Sequence, residues 1–255
     1  MRAPDELREL VESYLADLAL TPELGRQQES MRYALQGGKR IRGVICLAVA
    51  EAAGGDALRA LPAAGALELV HAFSLVHDDL PALDDDGERR GRPSTHVAHG
   101  EGVALLAGDA LLAEAFRLAL SYPTTAPARE LVQATLGMIG GQFLDITGAD
   151  TDLAELHRLK TGRLFAASVG LGLWTADVPD AAQGPWRRFG EELGLLFQIV
   201  DDVLDGDGYA ARVGDGAARG LAAESASRAR AALAVVPADT AVLLQLVDGL
   251  AVRTA

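Results

Sequence analysis

The sequence predicts an all-α fold, a single-domain bundle of about ten helices. Three observations carry this. Apolar residues recur at helical spacing along nearly all of the 255 residues, no period-2 strand pattern of useful length occurs, and apolar character continues across short breaks. Residues 1–255 therefore read as one domain without a linker. In order, Leu7, Leu10, Val11, Tyr14, Leu15 and Leu18 follow the i, i+3, i+4, i+7 rule and make 5–20 an amphipathic helix. Residues 27–36 run into Gly37-Gly38, a helix stop. Residues 39–53 and 57–79, rich in Ala, Leu and Val, read as long buried helices. Residues 86–100 are polar and Gly/Pro-rich, hence a loop. Helical patterns resume at 101–120, 126–147, 151–175, 181–205, 217–235 and 239–252. Breaks fall at 121–127, 177–184, 206–216 and Pro237. The high Ala content suggests close helix packing. The Ala, Gly, Arg and Asp bias of 206–235 reads as a compositional trend, not a disordered tail.

Hydrophobic residues make up 49% of the chain, ample for a core, and the net charge of −13 argues against nucleic-acid binding. An acidic chain still binds an anionic substrate where metals and local cations neutralise it. Lys39 and Lys160 are the two lysines among 23 basic residues, and a lysine in a chain that otherwise uses arginine is a candidate for a specific role. The lone Cys46 excludes an internal disulfide and fits a reducing cytoplasm. No basic stretch followed by an apolar one opens the chain, so no signal peptide is expected. No uninterrupted apolar run reaches the ~18 residues of a membrane span.

Two aspartate clusters stand in these apolar stretches. The first is His77-Asp78-Asp79-Leu80-Pro81-Ala82-Leu83-Asp84-Asp85-Asp86, the second Phe197-Gln198-Ile199-Val200-Asp201-Asp202-Val203-Leu204-Asp205. Half-buried carboxylates repel one another and lose hydration, so clustering them requires compensation. Hard divalent cations that also hold a phosphorylated ligand provide it. Asp201 and Asp205 are four apart and share a helix face, Asp202 lies about 100° away, and Gln198 is one turn back on the Asp201 side. A solvated acidic patch at a helix C-terminus would oppose the helix dipole. Asp78 and Asp84 are six apart, which a regular helix does not bring together. Pro81 disfavours helical geometry at Leu80, and a break there would return Asp84 toward Asp78. Mg²⁺ prefers one or two carboxylates, waters and phosphate oxygens to an all-protein cage, so two facing Asp-rich helices suit a clamp on a diphosphate.

The cations match this. Gly37-Gly38-Lys39-Arg40-Ile41-Arg42 puts a Gly turn at a helix start with Lys39 and Arg42 three apart on one face, an anion site. Arg89-Arg90 follows the first acidic cluster, and Lys160-Thr161-Gly162-Arg163 adds a third basic segment. Gly140-Gly141-Gln142-Phe143-Leu144-Asp145 places Gln142 and Asp145 in an apolar helix.

Together these segments closely resemble the trans-isoprenyl diphosphate synthases, the polyprenyl synthetase family. The resemblance runs from about Met31 to Asp205 in family order. It rests on the GGKRIR segment, His71 through Pro81, Arg89-Arg90-Gly91, Gly108-Asp109-Ala110-Leu111-Leu112, Gly141-Gln142 with Asp145, Lys160-Thr161-Gly162, and Phe197-Gln198 with Asp201, Asp202 and Asp205. The DD-x4-D spacing with its Leu-Pro insertion is similar to the bacterial short-chain farnesyl/geranylgeranyl type.

The resemblance implies an isoprenoid synthase fold, about ten or more helices around a central active-site cavity. It implies head-to-tail condensation of isopentenyl diphosphate with an allylic diphosphate, with three Mg²⁺ ions. By motif, Asp78 and Asp84, supported by Asp79, would hold two ions, and Asp201, with Asp202 and Asp205, the third. Arg89 and Lys160 would grip the allylic diphosphate, and Gln198 and Thr161 would set dipoles beside the carbocation. Lys39, Arg42, His71 and Arg90 would hold isopentenyl diphosphate, with Gln142 in the substrate site. His71 lies two turns from Asp78 on one face. The proton lost at the end goes to the departing diphosphate, so no protein general base is expected. Phe73 and Ser74, five and four residues before Asp78, would point into the chain channel, and the Phe73 ring favours a fifteen-carbon product, farnesyl diphosphate, over twenty-carbon geranylgeranyl diphosphate. A homodimer through 101–120 and 126–147 is also implied.

The chain departs from the family pattern after Asp205. The family carries lysines there; here Gly206-Asp207-Gly208-Tyr209-Ala210-Ala211-Arg212-Val213-Gly214 follows, and no lysine occurs again. Arg212 is no equivalent of a lid lysine, and the segment after 206 looks shortened. Either the third metal site is more open and the enzyme slower, or another segment closes it. Gly43 stands where the family often has Pro. A weakly active or non-catalytic regulatory member is the alternative, although such subunits usually lose an Asp cluster. A terpene-cyclase-like lyase would not need Lys39 and Arg42.

Overall fold

The computed structural model describes residues 1–148 and 152–252. Helix α1 (Pro4–Ala16) starts with Pro at its first turn and Glu6 accepting the Ala3 N–H at 2.7 Å. It buries Leu7, Val11 and Leu15 and stops before residue 20; Leu18 and Leu20 remain buried in the connection that follows. Helix α2 (Gln27–Ala34) leads into the glycine turn, where Gly37, Gly38 and Arg40 all take positive φ. Arg40 in the left-handed region delays α3 to Ile41–Ala52, so Lys39 precedes the helix. The expected i, i+3 relation of Lys39 to Arg42 on one helix face therefore does not form.

Helix α4 (Ala57–Asp78) begins with Asp56 accepting the Leu58 N–H at 2.9 Å. It carries Pro62 internally. Around that proline the Tyr122 hydroxyl enters the helix ladder, accepting from Ala63 N–H at 3.1 Å and donating to Arg59 C=O at 2.8 Å. Helix α4 packs on α3 and on α6 (Glu101–Ala119). Among the described residues it is the one helix long and apolar enough to cross a membrane by length and composition, and 67% of that stretch is buried inside the molecule. Packing on its neighbours accounts for its composition.

The expected loop 86–100 holds more structure than its composition suggests. Glu88–Arg89 (β1) and Arg92–Pro93 (β2) pair antiparallel through Arg90 and Gly91, both at positive φ, a type I′ arrangement. The short helix α5 (Thr95–His99) follows. Two-residue strands are too short for any periodicity to announce them.

Helix α7 (Ala126–Thr147) packs on α9 (Arg163–Thr175), and α10 (Gly184–Asp205) lies between α9 and α12 (Asp215–Ala234). The expected helix 151–175 is divided: α8 (Leu153–His157), then a π-helical turn at Arg158–Gly162, then α9; residue 151 lies outside the described residues. The expected break 206–216 contains α11 (Gly208–Val213), and α13 (Ala241–Ala251) closes the described chain. Buried apolar side chains from α1, α3, α4, α6, α7, α9, α10, α12 and α13 form one connected core. Much of it is alanine, as close packing requires.

Candidate active site

A cavity of about 530 Å³ opens between α3, α4, α7 and the π-turn. Phe73, Met138, Ile139, Phe143, Ile146 and Leu164 give it apolar walls. Arg42, His71, Ser74, Asp78, Gln142, Lys160 and Thr161 supply the polar groups. The structure thus gathers Arg42, His71, Phe73, Ser74, Asp78, Gln142, Lys160 and Thr161, all expected as site residues, around one hollow.

Local backbone geometry explains several of these placements. At the end of α4 the chain turns on Leu80-Pro81, and Asp84 N–H donates to Asp78 C=O at 2.9 Å, returning Asp84 to Asp78 as the Pro81 argument expects. Burial raises the Asp78 carboxyl to about 6, Lys160 opposes the rise, and Asp84 and then Asp79 add to it. Asp79 faces away from the cavity. It is buried and held by Arg89, which also bonds Asp86 at 2.7 Å. Asp84 is exposed.

Lys160 and Thr161 project from the π-turn, a geometry that re-aims side chains a regular helix would place elsewhere. Two close approaches set this turn. A Cβ on Gly141 would lie 2.5 Å from Lys160 N, and one on Gly194 would lie 3.1 Å from Gly162 Cα, so α7 and α10 both press against it. The Lys160 ammonium bonds the Asp145 carboxylate.

Arg42 is buried, its guanidinium 4.8 Å from the Phe165 ring centroid, and its Nε has no hydrogen-bond partner among the described residues. Burial lowers it to about 10, while Glu68 and Asp201 favour its charge. Both side-chain polar atoms of Gln142 are likewise buried without a partner among the described residues. Orphaned polar atoms facing a cavity are a ligand-binding signal. His71 is half-buried, and burial first, then the charges of Arg42, Arg90, Arg40 and Arg89, push its imidazole well below the ordinary range. Phe73 is buried and meets the His77 ring edge-on at 4.9 Å, while His77 Nε2 lies 3.0 Å from Leu105 C=O. Ser74 Oγ donates to His71 C=O at 2.9 Å.

The other expected residues lie outside this lining. Arg90 donates to Gln36 C=O at 3.2 Å and Gly37 C=O at 2.9 Å, resting on the glycine turn. Lys39 lines a separate hollow with Asp5, Arg8 and Leu246. On α10, Asp201 is half-buried, Asp205 exposed and Asp202 buried. Gln198 Nε2 donates to Asp202 Oδ1 at 2.7 Å.

Arg40, Glu68 and His157 are not among the site residues expected from the sequence, and Gly43 is expected only as a departure from the family pattern. Arg40 is buried and bonds Glu12 Oε1 at 3.0 Å and Leu35 C=O, with buried Glu68 at 3.8 Å. Gly43 N–H donates to Glu68 Oε1 at 2.9 Å, a bond that proline at this position would forfeit. His157, three before Lys160, lies 3.4 Å from Asp202 Oδ2, and only its spacing from the lysine signals it.

No three His, Cys, Asp or Glu side chains converge on a ready-made metal cage among the described residues. The donor set instead suits an ion that needs only one or two carboxylates and completes its shell with water and phosphate oxygens.

A polyprenyl synthetase family model matches residues 26–235. The chain is 45% identical over 193 residues to the geranylgeranyl diphosphate synthase of Cyanophora paradoxa, covering 69% of this chain and 64% of that protein. It is 40% identical over 203 residues to the farnesyl diphosphate synthase of Bacillus subtilis, covering 73% and 69%. The crystal structure of a geranyltransferase from Legionella pneumophila superposes with a TM-score of 0.86 at 31% identity, covering 98% of this chain and 96% of that one. The chain spans slightly less than two thirds of the first relative's length and nearly all of the solved structure's.

Proposed function

The chain belongs to the polyprenyl synthetase family, and from that premise we propose a Mg²⁺-dependent prenyltransferase that condenses isopentenyl diphosphate with an allylic diphosphate. The product is a short-chain prenyl diphosphate, farnesyl diphosphate in our reading, with geranylgeranyl diphosphate the alternative. One observation carries the proposal: an apolar cavity of about 530 Å³ shares its walls with a carboxylate, an ammonium and a buried guanidinium whose Nε has no hydrogen-bond partner among the described residues. An apolar prenyl tail and a charged head require that juxtaposition.

Asp78 and Asp84 fit a divalent cation, because their clustered charge is only partly offset by Lys160. With Asp201, and Asp205 one turn on, they would hold up to three Mg²⁺ ions, whose charge would stabilise a leaving diphosphate. Lys160 would hold the allylic diphosphate. Arg89 would join it by exchanging Asp79 or Asp86 for phosphate oxygens. Thr161, and Gln198 from α10, would turn their dipoles to the carbocation. Arg42 would meet the second diphosphate, flanked by Arg90 and Lys39, with Gln142 beside it. Neutral His71 would donate a hydrogen bond there. The final proton passes to the departing diphosphate. Phe73, braced by His77, would end the tail channel beside Ser74.

We also infer a homodimer. Val132 and Leu136, one turn apart on α7 and outside the cavity lining, are exposed, as are Val103 and Leu106 on α6, which makes a helix–helix seam. Leu136, at 64% exposure, is a large apolar side chain facing outward. A cytoplasmic setting, one domain over 1–255 and no nucleic-acid partner complete the reading.

The absence of lysine after Lys160 favours a second reading, a non-catalytic supporting subunit. Incubation with Mg²⁺, radiolabelled isopentenyl diphosphate and each allylic diphosphate in turn separates the two; no condensation product with any primer refutes the enzyme. A Phe73→Ala variant should lengthen the products, and an unchanged chromatogram would remove Phe73 as the floor.

A further inference from the structure

The second aspartate cluster divides its work. Asp201 and Asp205 share one helix face, whereas Asp202 points elsewhere and is 3% exposed. Both oxygens of Asp202 are engaged by the protein: Oδ1 accepts Gln198 Nε2 at 2.7 Å, and Oδ2 accepts Tyr209 N–H at 2.9 Å. Its backbone carbonyl accepts the N–H groups of Gly206 at 2.9 Å and Asp207 at 3.1 Å. His157 Nε2 stands 3.4 Å from Oδ2, and the His157 ring stacks on the Tyr209 ring, centroids 5.3 Å apart at 26°. Gly208 has φ +43°, and a Cβ there would overlap the Asp202 carboxylate, so the chain wraps closely around this one side chain.

We propose that Asp202 is a positioning residue and not a metal ligand, clasping the segment after the second cluster and fixing the orientation of the Gln198 amide. A carboxylate only accepts, so it turns the Gln198 NH₂ toward itself and leaves the amide oxygen facing away, free to stabilise positive charge. The same carboxylate ties the first turn of α11 to α10. Through Tyr209 and His157 it also braces the helix that runs into the Lys160–Thr161 turn. The clasp holds in place the segment that has no lysine to anchor it on a bound diphosphate. The kinetic consequence rests on the prenyltransferase reading; the structural role does not.

Hydrogen–deuterium exchange on the full chain without ligand reads the clasp directly. Asp202→Ala should speed exchange across residues 206–213 about tenfold or more. Gly208→Ala, which displaces the carboxylate without removing a charge, should do the same. Asp202→Asn keeps an acceptor for Tyr209 N–H, so protection returns, but its NH₂ forces the Gln198 amide to turn over. In that variant kcat should fall about 10- to 100-fold. Calorimetric titration of Mg²⁺ with inorganic pyrophosphate should give a midpoint within about twofold of wild type, whereas Asp201→Asn weakens it about tenfold or more. Unchanged exchange in Asp202→Ala, or a pyrophosphate midpoint for Asp202→Asn shifted as far as for Asp201→Asn, would overturn the proposal. A wild-type chain without condensation activity would sink the prenyltransferase reading, while exchange and calorimetry still decide the role of Asp202.

Discussion

Gly141→Ala tests whether the π-turn is held in register by the helix pressing on it. The added methyl would sit 2.5 Å from Lys160 N and 2.7 Å from its Cα, both backbone atoms that no rotamer change can move aside. Reaching the 3.4 Å of ordinary contact requires a separation of about 0.9 Å between α7 and the turn. Lys160 and Thr161 travel with that turn. A displacement of about 1 Å at reacting groups costs about a hundredfold in rate, so kcat for condensation should fall by about that factor. Overpacking costs about 1–3 kcal/mol and replacing a mid-helix glycine returns about 1 kcal/mol, so the net loss of stability is about 2 kcal/mol or less, a Tm drop of up to about 8 °C, and the variant stays folded at the assay temperature. Gly140→Ala is the matched control, because nothing lies within 4 Å of a Cβ at Gly140. It should keep full kcat and melt slightly higher. Steady-state kinetics with calorimetric Tm values on both variants decides the matter. Full kcat in Gly141→Ala, or equal losses in the two variants, would show that α7 does not hold the turn in register.

Three other perturbations follow from the same geometry. Tyr122→Phe removes the hydroxyl that bridges the gap at Pro62 and should lower stability by about 1–3 kcal/mol in urea unfolding; an unchanged midpoint would show that the α4 ladder does not need it. Leu136→Asp places a charge in the α7 seam and should shift a dimer to monomer in light scattering behind size exclusion, whereas unchanged mass would move the interface elsewhere. His71 is held neutral, its folded pKa depressed below the unfolded one, so the unfolded chain takes up the proton first as pH falls. Its contribution is fully present above the ordinary imidazole range and is lost as pH drops through it; His71→Gln should flatten the acid limb of the stability profile, and an unaltered limb would contradict this.

The helices were legible in the sequence because each long one buries a periodic stripe, as Leu7, Val11 and Leu15 do on α1. The return of Asp84 to Asp78 followed from one local fact, the restriction Pro81 imposes on Leu80. What the sequence hid was settled by local backbone states or by tertiary contact. Arg40 takes the left-handed region and so removes Lys39 from the helix face it was expected to share with Arg42. The π-turn leaves no mark on hydrophobic periodicity, yet it aims Lys160 and Thr161. Spacing gave Asp202 its own direction on α10 but not its partners, since Tyr209 and His157 reach it only through folding. The hairpin at Arg90-Gly91 is simply too short to repeat any pattern.

In the function proposed here, the cavity beside Asp78, Arg42 and Lys160 joins two diphosphate substrates. Mass spectrometry of one incubation with geranyl diphosphate, isopentenyl diphosphate and Mg²⁺ tests it most directly. The account predicts farnesyl diphosphate as the principal product, one pyrophosphate released per bond formed, and loss of both on adding EDTA. Recovery of both substrates unchanged at the end of the incubation would contradict it.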